Sequence, residues 1–238
     1  MIATRLARVP PFERGITLGD FLVPIRLGER ASSWQRHLLM IGVGTLMIVL
    51  GAYVSFPVPA LALPFGIYVP ANPYVPFTLQ TLGVLFSAAA LGFRRGLAAS
   101  SLYVLLGVVG LPVFAIGSDG AHASGLDTIA VVQDGRLVLG ATGGYLIGFV
   151  LASGLVGRLA ELGWDRTMRG ALAAMVLGNA LVYVVGLPWL SMAAGLDVAR
   201  TLSFGLWPFV PWDVLKLAVA AGLLPAGWWL VRRRSHDL

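Results

Sequence analysis

The chain has 238 residues, of which 58% are hydrophobic and only 12% charged, with a formal net charge of +6 and a mean hydropathy of +0.84. Soluble domains carry about a quarter of their residues as charges, so this composition excludes a soluble fold and makes lipid the solvent for most of the chain. The absence of cysteine removes disulfides, thiolate chemistry and cysteine-ligated metals, and the basic pI near 10.3 reads as membrane orientation rather than as a nucleic-acid partner.

Residues 1–36 hold six arginines against three acids and no continuous apolar run. A signal peptide would need such a run, so the segment reads as a basic cytoplasmic arm. Six apolar stretches follow, at 37–56, 77–93, 96–116, 137–157, 170–192 and 206–231. Each is close to the ~20 residues that carry a helix across about 30 Å of hydrocarbon. They are apolar throughout rather than alternating, which favours helices over barrel strands. The expected fold is an all-α membrane bundle of about six transmembrane helices, with 37–231 as the membrane domain and 232–238 as a basic cytoplasmic tail.

Fourteen arginines fall on one side of these stretches, including Arg94, Arg95, Arg158, Arg166, Arg169 and Arg232, against Arg136 and Arg200 on the other. By the positive-inside rule both termini lie in the cytoplasm, as expected of a multi-pass protein of the inner (cytoplasmic) membrane. The loop at 57–76 is uncharged and carries Pro57, Pro59, Pro64, Pro70, Pro73, Phe65, Tyr68 and Tyr74. Proline stiffens the backbone, and a long stiff loop suits a lid over an outward-facing pocket. The loop at 117–136, rich in glycine and aspartate, reads as solvated and mobile. His37, His122 and His236 are far apart in the chain and read as surface residues.

Strongly polar side chains are costly in lipid unless they face a cavity or a partner. Gln80, Tyr145, Asn179, Asp213 and Lys216 meet that description, and the expected topology gathers them toward the outer side. Gln80 and Asn179 also fit interhelical hydrogen bonding, and Asp213 with Lys216 also fits an intrahelical ion pair. No G-x-x-x-x-G-K-[ST] loop is present, so ATP chemistry would have to come from a partner. Nor is there a nucleophile–base set or a histidine cluster at membrane depth, which disfavours a membrane enzyme and gives no cofactor to expect.

Several strings resemble the BioY family, the biotin-binding S-components of energy-coupling-factor (ECF) transporters. They are Thr78–Leu85 (TLQTLGVL), Gly110–Phe114 (GLPVF), Thr142–Phe149 (TGGYLIGF), the set Asn179, Tyr183, Gly186, Trp189 and Leu190, and Pro211–Lys216 (PWDVLK), where Trp212 replaces a glycine. The resemblance implies a six-helix bundle that binds biotin near its outer face. It also implies a transmembrane coupling protein and two ATPase subunits as partners.

Biotin offers ureido N–H donors, a ureido carbonyl, an apolar thioether ring and a carboxylate. Asp213 suits the N–H groups, because a carboxylate only accepts hydrogen bonds. Asn179 and Gln80 suit the carbonyl, and Tyr145 the ring. Lys216 either holds the tail carboxylate or supports Asp213. The alternatives are an S-component for another small vitamin, or a passive pore, which the apolar inner halves of the spans oppose.

Overall fold

The computed structural model describes residues 15–22, 33–58, 60–62, 68–69, 71–117 and 119–236. A short helix α1 (Gly19–Leu22) precedes α2 (Ser33–Tyr53). Four strands follow, β1 (Ser55–Val58), β2 (Leu61–Ala62), β3 (Tyr68–Val69) and β4 (Asn72–Thr78), then α3 (Gln80–Leu91) and α4 (Phe93–Val108). A hairpin of β5 (Ala130–Gln133) and β6 (Arg136–Leu139) leads to α5 (Gly143–Glu161), α6 (Met168–Ala194), α7 (Val198–Gly205) and α8 (Val210–His236).

The six apolar stretches coincide with α2, α3, α4, α5, α6 and α8, but their lengths differ from expectation. Four helices are long and apolar enough to cross a membrane, over Trp34–Tyr53, Gly143–Glu161, Met168–Ala194 and Val210–Arg233. Helix α3 has 12 residues, while α4 has 16 and opens with Arg94 and Arg95 in its first turn. The stretch at 137–157 begins in strand β6 and becomes helical only at Gly143. A short apolar run reads alike as strand or helix by composition, which is why the boundary moved.

The loops also carry more regular structure than expected. Residues 130–139 form an antiparallel hairpin pairing Ala130 with Leu139 and Gln133 with Arg136. Its turn is Asp134–Gly135, both at positive φ (51° and 72°), the pairing that a two-residue hairpin turn favours. The 117–136 segment, read as solvated and mobile, is thus regular and largely exposed in this part. In the proline-rich loop, β1 pairs with β4 through Ser55–Thr78, Phe56–Phe77 and Val58–Asn72. Pro59, Pro64, Phe65 and Pro70 of the expected lid lie outside the described residues, as do 1–14 and 23–32 of the N-terminal arm and 237–238 of the tail.

Glycine permits the closest helix contacts. A Cβ at Gly51 would lie 2.8 Å from the Leu79 carbonyl oxygen, and one at Gly83 would lie 2.7 Å from that of Met47, so α2 and α3 meet backbone to backbone. Helix α5 approaches α6 in the same way, where a Cβ at Gly148 would be 3.0 Å from Val182 Cα. Between α4 and α5, the buried hydroxyls of Ser100 and Ser153 are 2.5 Å apart. Helix α6 starts on Thr167, whose side chain accepts from the Gly170 amide, and stops at Gly195 in the left-handed conformation. These are standard stop and start devices for a helix.

The arginine-bearing helix ends are tied together at one end of the bundle. The Phe93 amide donates to Glu161 Oε1 at 2.9 Å, and Trp228 Nε1 donates to Asp165 Oδ2 at 2.6 Å. Burial pushes the Asp165 carboxyl up to about 6, against the opposing pull of the Trp228 hydrogen bond and the nearby Arg166 charge. Residues 15–22 dock across this end. The Gly15 amide donates to the Glu161 carbonyl, buried Leu18 abuts Gly227, and Phe21 meets Trp228 edge-on at 5.7 Å. Asp20 accepts from Arg95 at 2.8 Å and Arg36 at 3.3 Å. Burial alone would raise the Asp20 carboxyl, but hydrogen bonds from Thr17 and Arg95 and the Arg95 charge hold it below the usual range.

Candidate functional site

At the opposite end of the bundle, a cavity of about 780 Å³ opens between β4, the 114–128 connection and the starts of α3, α5 and α8, with α6 as its back wall. Gln80, Tyr145, Asn179, Asp213 and Lys216 all line it. Five residues scattered over four helices therefore share one space, which lies within the roughly 300–1,000 Å³ range of small-molecule sites.

Asp213 sits in the first turn of α8, whose amide dipoles favour a negative charge. It is 5% exposed and Lys216 6%, so neither charge is solvated. Their side chains pair at 2.7 Å through Asp213 Oδ1. The other carboxylate oxygen, Oδ2, accepts from Asn179 Nδ2 at 3.0 Å and from the Tyr183 hydroxyl at 2.5 Å. Asn179 and Tyr183 are four apart on α6 and so present the same face. Lys216 Nζ also donates to the Thr78 carbonyl at 3.1 Å and lies 5.1 Å from the centre of the Phe77 ring. The ion-pair alternative and the pocket alternative for Asp213 and Lys216 are thus both geometrically true: the pair exists and lines the cavity.

Gln80 opens α3, with its side-chain Nε2 donating to the Tyr103 hydroxyl at 2.7 Å and that hydroxyl donating to the Val113 carbonyl. One amide proton of Gln80 is thereby used inside the bundle and one is left for the cavity. Tyr145 donates to the Gly205 carbonyl at 3.0 Å and meets Tyr183 edge-on at 6.4 Å. Its ring lies flush against Gly186, where a Cβ would approach to 2.6 Å. Trp212 packs edge-on against Phe77 at 5.3 Å, half exposed, and is not among the cavity-lining residues.

Tyr183, Asn72 and His122 are among the lining residues that sequence reasoning missed. Tyr183 was visible only as part of a family string, although its spacing from Asn179 places it on the same helical face. Asn72 folds β4 back, accepting from the Tyr74 and Val75 amides and donating to the Phe204 carbonyl at 2.6 Å. His122, expected on the surface, is instead partly buried in the lining. Its ring stacks on Tyr53 at 3.9 Å and 17°, and Nδ1 bonds to the Phe114 carbonyl at 2.8 Å. His37 is exposed as expected, beside Arg95 Nε at 2.9 Å.

Chemically, this is a slot with aromatic walls (Tyr145, Phe149, Tyr183, Phe209) and a hydrogen-bonded polar network around Asp213. Such a cavity suits a compact ligand with matching donors and acceptors.

Comparison with known proteins agrees with this architecture. A solved S-component for biotin from an ECF-type ABC transporter has a similar fold, with a TM-score of 0.60 at 20% identity, covering 82% of this chain and 93% of that one. The biotin transporter BioY of Thermotoga maritima is 37% identical over 187 residues, spanning 79% of this chain and 92% of the relative. Biotin transporter BioY2 of Lactococcus lactis subsp. cremoris is 33% identical over 195 residues, spanning 80% and 91%. With the BioY family pattern matching residues 28–233, this chain belongs to the BioY family.

Proposed function

We propose that this chain captures biotin for uptake across the cytoplasmic membrane. It acts as the substrate-binding subunit of an ECF-type system in which a transmembrane coupling protein and two ATPase subunits supply the energy. Relatives named biotin transporters support the substrate, and the absence of a phosphate-cradling loop supports the division of labour.

The observation that carries the reading is the buried Asp213 carboxylate at the cavity's polar end, held by Lys216, Asn179 and Tyr183. Asp213 accepts the ureido N–H groups through charge-assisted bonds, about twice as strong as neutral ones. Asn179 and Gln80 donate to the ureido carbonyl, and Tyr145 with Phe149 walls the thioether ring. Lys216, committed to Asp213 and to the Thr78 carbonyl, orients the carboxylate rather than reaching for the ligand's tail.

Calorimetry of the purified chain with a vitamin panel tests this directly. Biotin is expected to bind without ATP and without partners, and the other vitamins are not; tight binding of a different vitamin in place of biotin overturns the assignment.

The bundle is read as a six-span protein with the cavity facing outward and the arginine-rich end in the cytoplasm. Single cysteines at exposed Asp127, Asp134 and Asp197 should react with an impermeant thiol reagent in intact cells, whereas those at Arg94, Arg169 and Arg232 should be shielded. The native chain adds no background, having no cysteine. Labelling in the reverse pattern would put the cavity on the cytoplasmic side.

A further inference from the structure

Under the biotin reading, the ureido end of the ligand meets the Asp213 network, and its carboxylate still requires a cation or a set of donors. Lys216 does not meet that need, because its ammonium is held between Asp213 Oδ1 and the Thr78 carbonyl. Among the described lining residues, the only other side chain able to carry a positive charge is His122. The residue is also held in place. Its ring lies flat on Tyr53, which is itself anchored by its hydroxyl to the Pro112 carbonyl at 2.9 Å.

We propose that His122, as its imidazolium, is the residue that receives the carboxylate of the bound ligand. The proposal rests on the biotin reading and adds the group that fixes the ligand's tail.

The tautomer decides the chemistry. Nδ1 faces the Phe114 carbonyl, which only accepts, so Nδ1 carries the proton and Nε2 of the neutral ring is an acceptor. A neutral ring therefore offers a carboxylate nothing but a lone pair. When Nε2 is protonated it becomes a charge-assisted donor. Binding of the anionic tail thus draws a proton onto the ring, and histidine is the side chain that changes charge between about pH 5 and 8. The other charged or titratable groups of the described lining are Asp119 in the same connection, Asp127 in the following 3-10 turn, Tyr74, Tyr145, Tyr183 and the paired Lys216 and Asp213, with Tyr53 stacked on the ring.

The test compares biotin with biotin amide, whose tail is neutral, between pH 5.5 and 8. At both values the biotin carboxyl is ionised, so any difference reports on the protein. Biotin is expected to bind about tenfold or more tightly at pH 5.5 than at pH 8, with biotin amide nearly flat. In His122→Gln, the biotin and biotin amide profiles should run parallel over this pH range, the extra gain of biotin at low pH being lost.

A parent whose biotin and amide profiles run parallel overturns the proposal, and that measurement needs no variant to fold. So does a His122→Gln protein that keeps the parent's pH profile. If biotin binds at no pH, the substrate reading itself fails. If biotin binds with an affinity independent of pH, only the role of His122 fails.

Discussion

Lys216→Ala is expected to weaken biotin binding by about tenfold or more and to lower the stability of the unliganded protein as well. The substitution leaves Asp213, 5% exposed, with its Oδ1 facing empty space while Oδ2 keeps Asn179 and Tyr183. Removing one partner of a buried pair typically costs about 3–5 kcal/mol, because the remaining charge is stranded away from water. A well-packed neutral replacement of both partners is close to neutral for stability. The double variant Asp213→Asn with Lys216→Met is therefore expected to melt near the parent temperature and still bind biotin weakly. That contrast separates the pair's role in recognition from its role in the fold. A Lys216→Ala protein that melts and binds like the parent would show that this end of the cavity contributes nothing to the ligand.

The second large effect belongs to the seam between α2 and α3. A valine at Gly83 would place its Cβ 2.7 Å from the Met47 carbonyl oxygen and 3.2 Å from Ile48 Cα. These are backbone atoms and cannot rotate away, so the helices must part. Overpacking typically costs about 1–3 kcal/mol, and separating two helices along a whole turn belongs at the upper end of that range. Gly83→Val is expected to lower the melting temperature on the order of 10 °C and to broaden the size-exclusion profile in detergent. Gly42 is the matched control on α2, because a Cβ there meets nothing within 4 Å. Gly42→Ala should be neutral or stabilise by about 0.5–1 kcal/mol, as for a glycine in a helix interior. Equal behaviour of the two variants would mean that the seam is not closely packed.

What could be read from the sequence follows from what lipid makes expensive. Asn179, Asp213 and Lys216 stood out because a polar group in an apolar stretch needs a partner, and the structure supplies those partners from one another. The same logic was blind to Tyr183, whose ring counts as apolar although its hydroxyl completes the Asp213 site. It was equally blind to His122 and Asn72, which lie in connections where polar residues are ordinary and carry no penalty to notice. Composition also hid the β5–β6 hairpin, because its apolar second strand runs on toward helix α5 without a change in hydropathy. The Asp134–Gly135 pair was the local signal for that turn. Helix lengths were the least legible feature: the apolar stretches at 77–93 and 96–116 are broken by Gly92 and Gly110, both at positive φ, and only the fold reveals how short α3 and α4 are.

Residues 15–22 lie before the family match that begins at residue 28, yet they bind to the last helix of the chain through Leu18 at Gly227 and Phe21 at Trp228. This sets an order of events during synthesis. The segment leaves the ribosome well before its docking surface, since residues 15–22 precede Gly227 and Trp228 by most of the six-helix region. At about 5–20 residues per second, it waits on the order of ten seconds or more before α8 exists to receive it. Until then Asp20 can reach Arg36 and Arg95, but Leu18 has no seat at Gly227. The earlier-made segment therefore closes the arginine-rich end only once α8 has appeared, and a nascent chain stalled before Trp228 would present that end open.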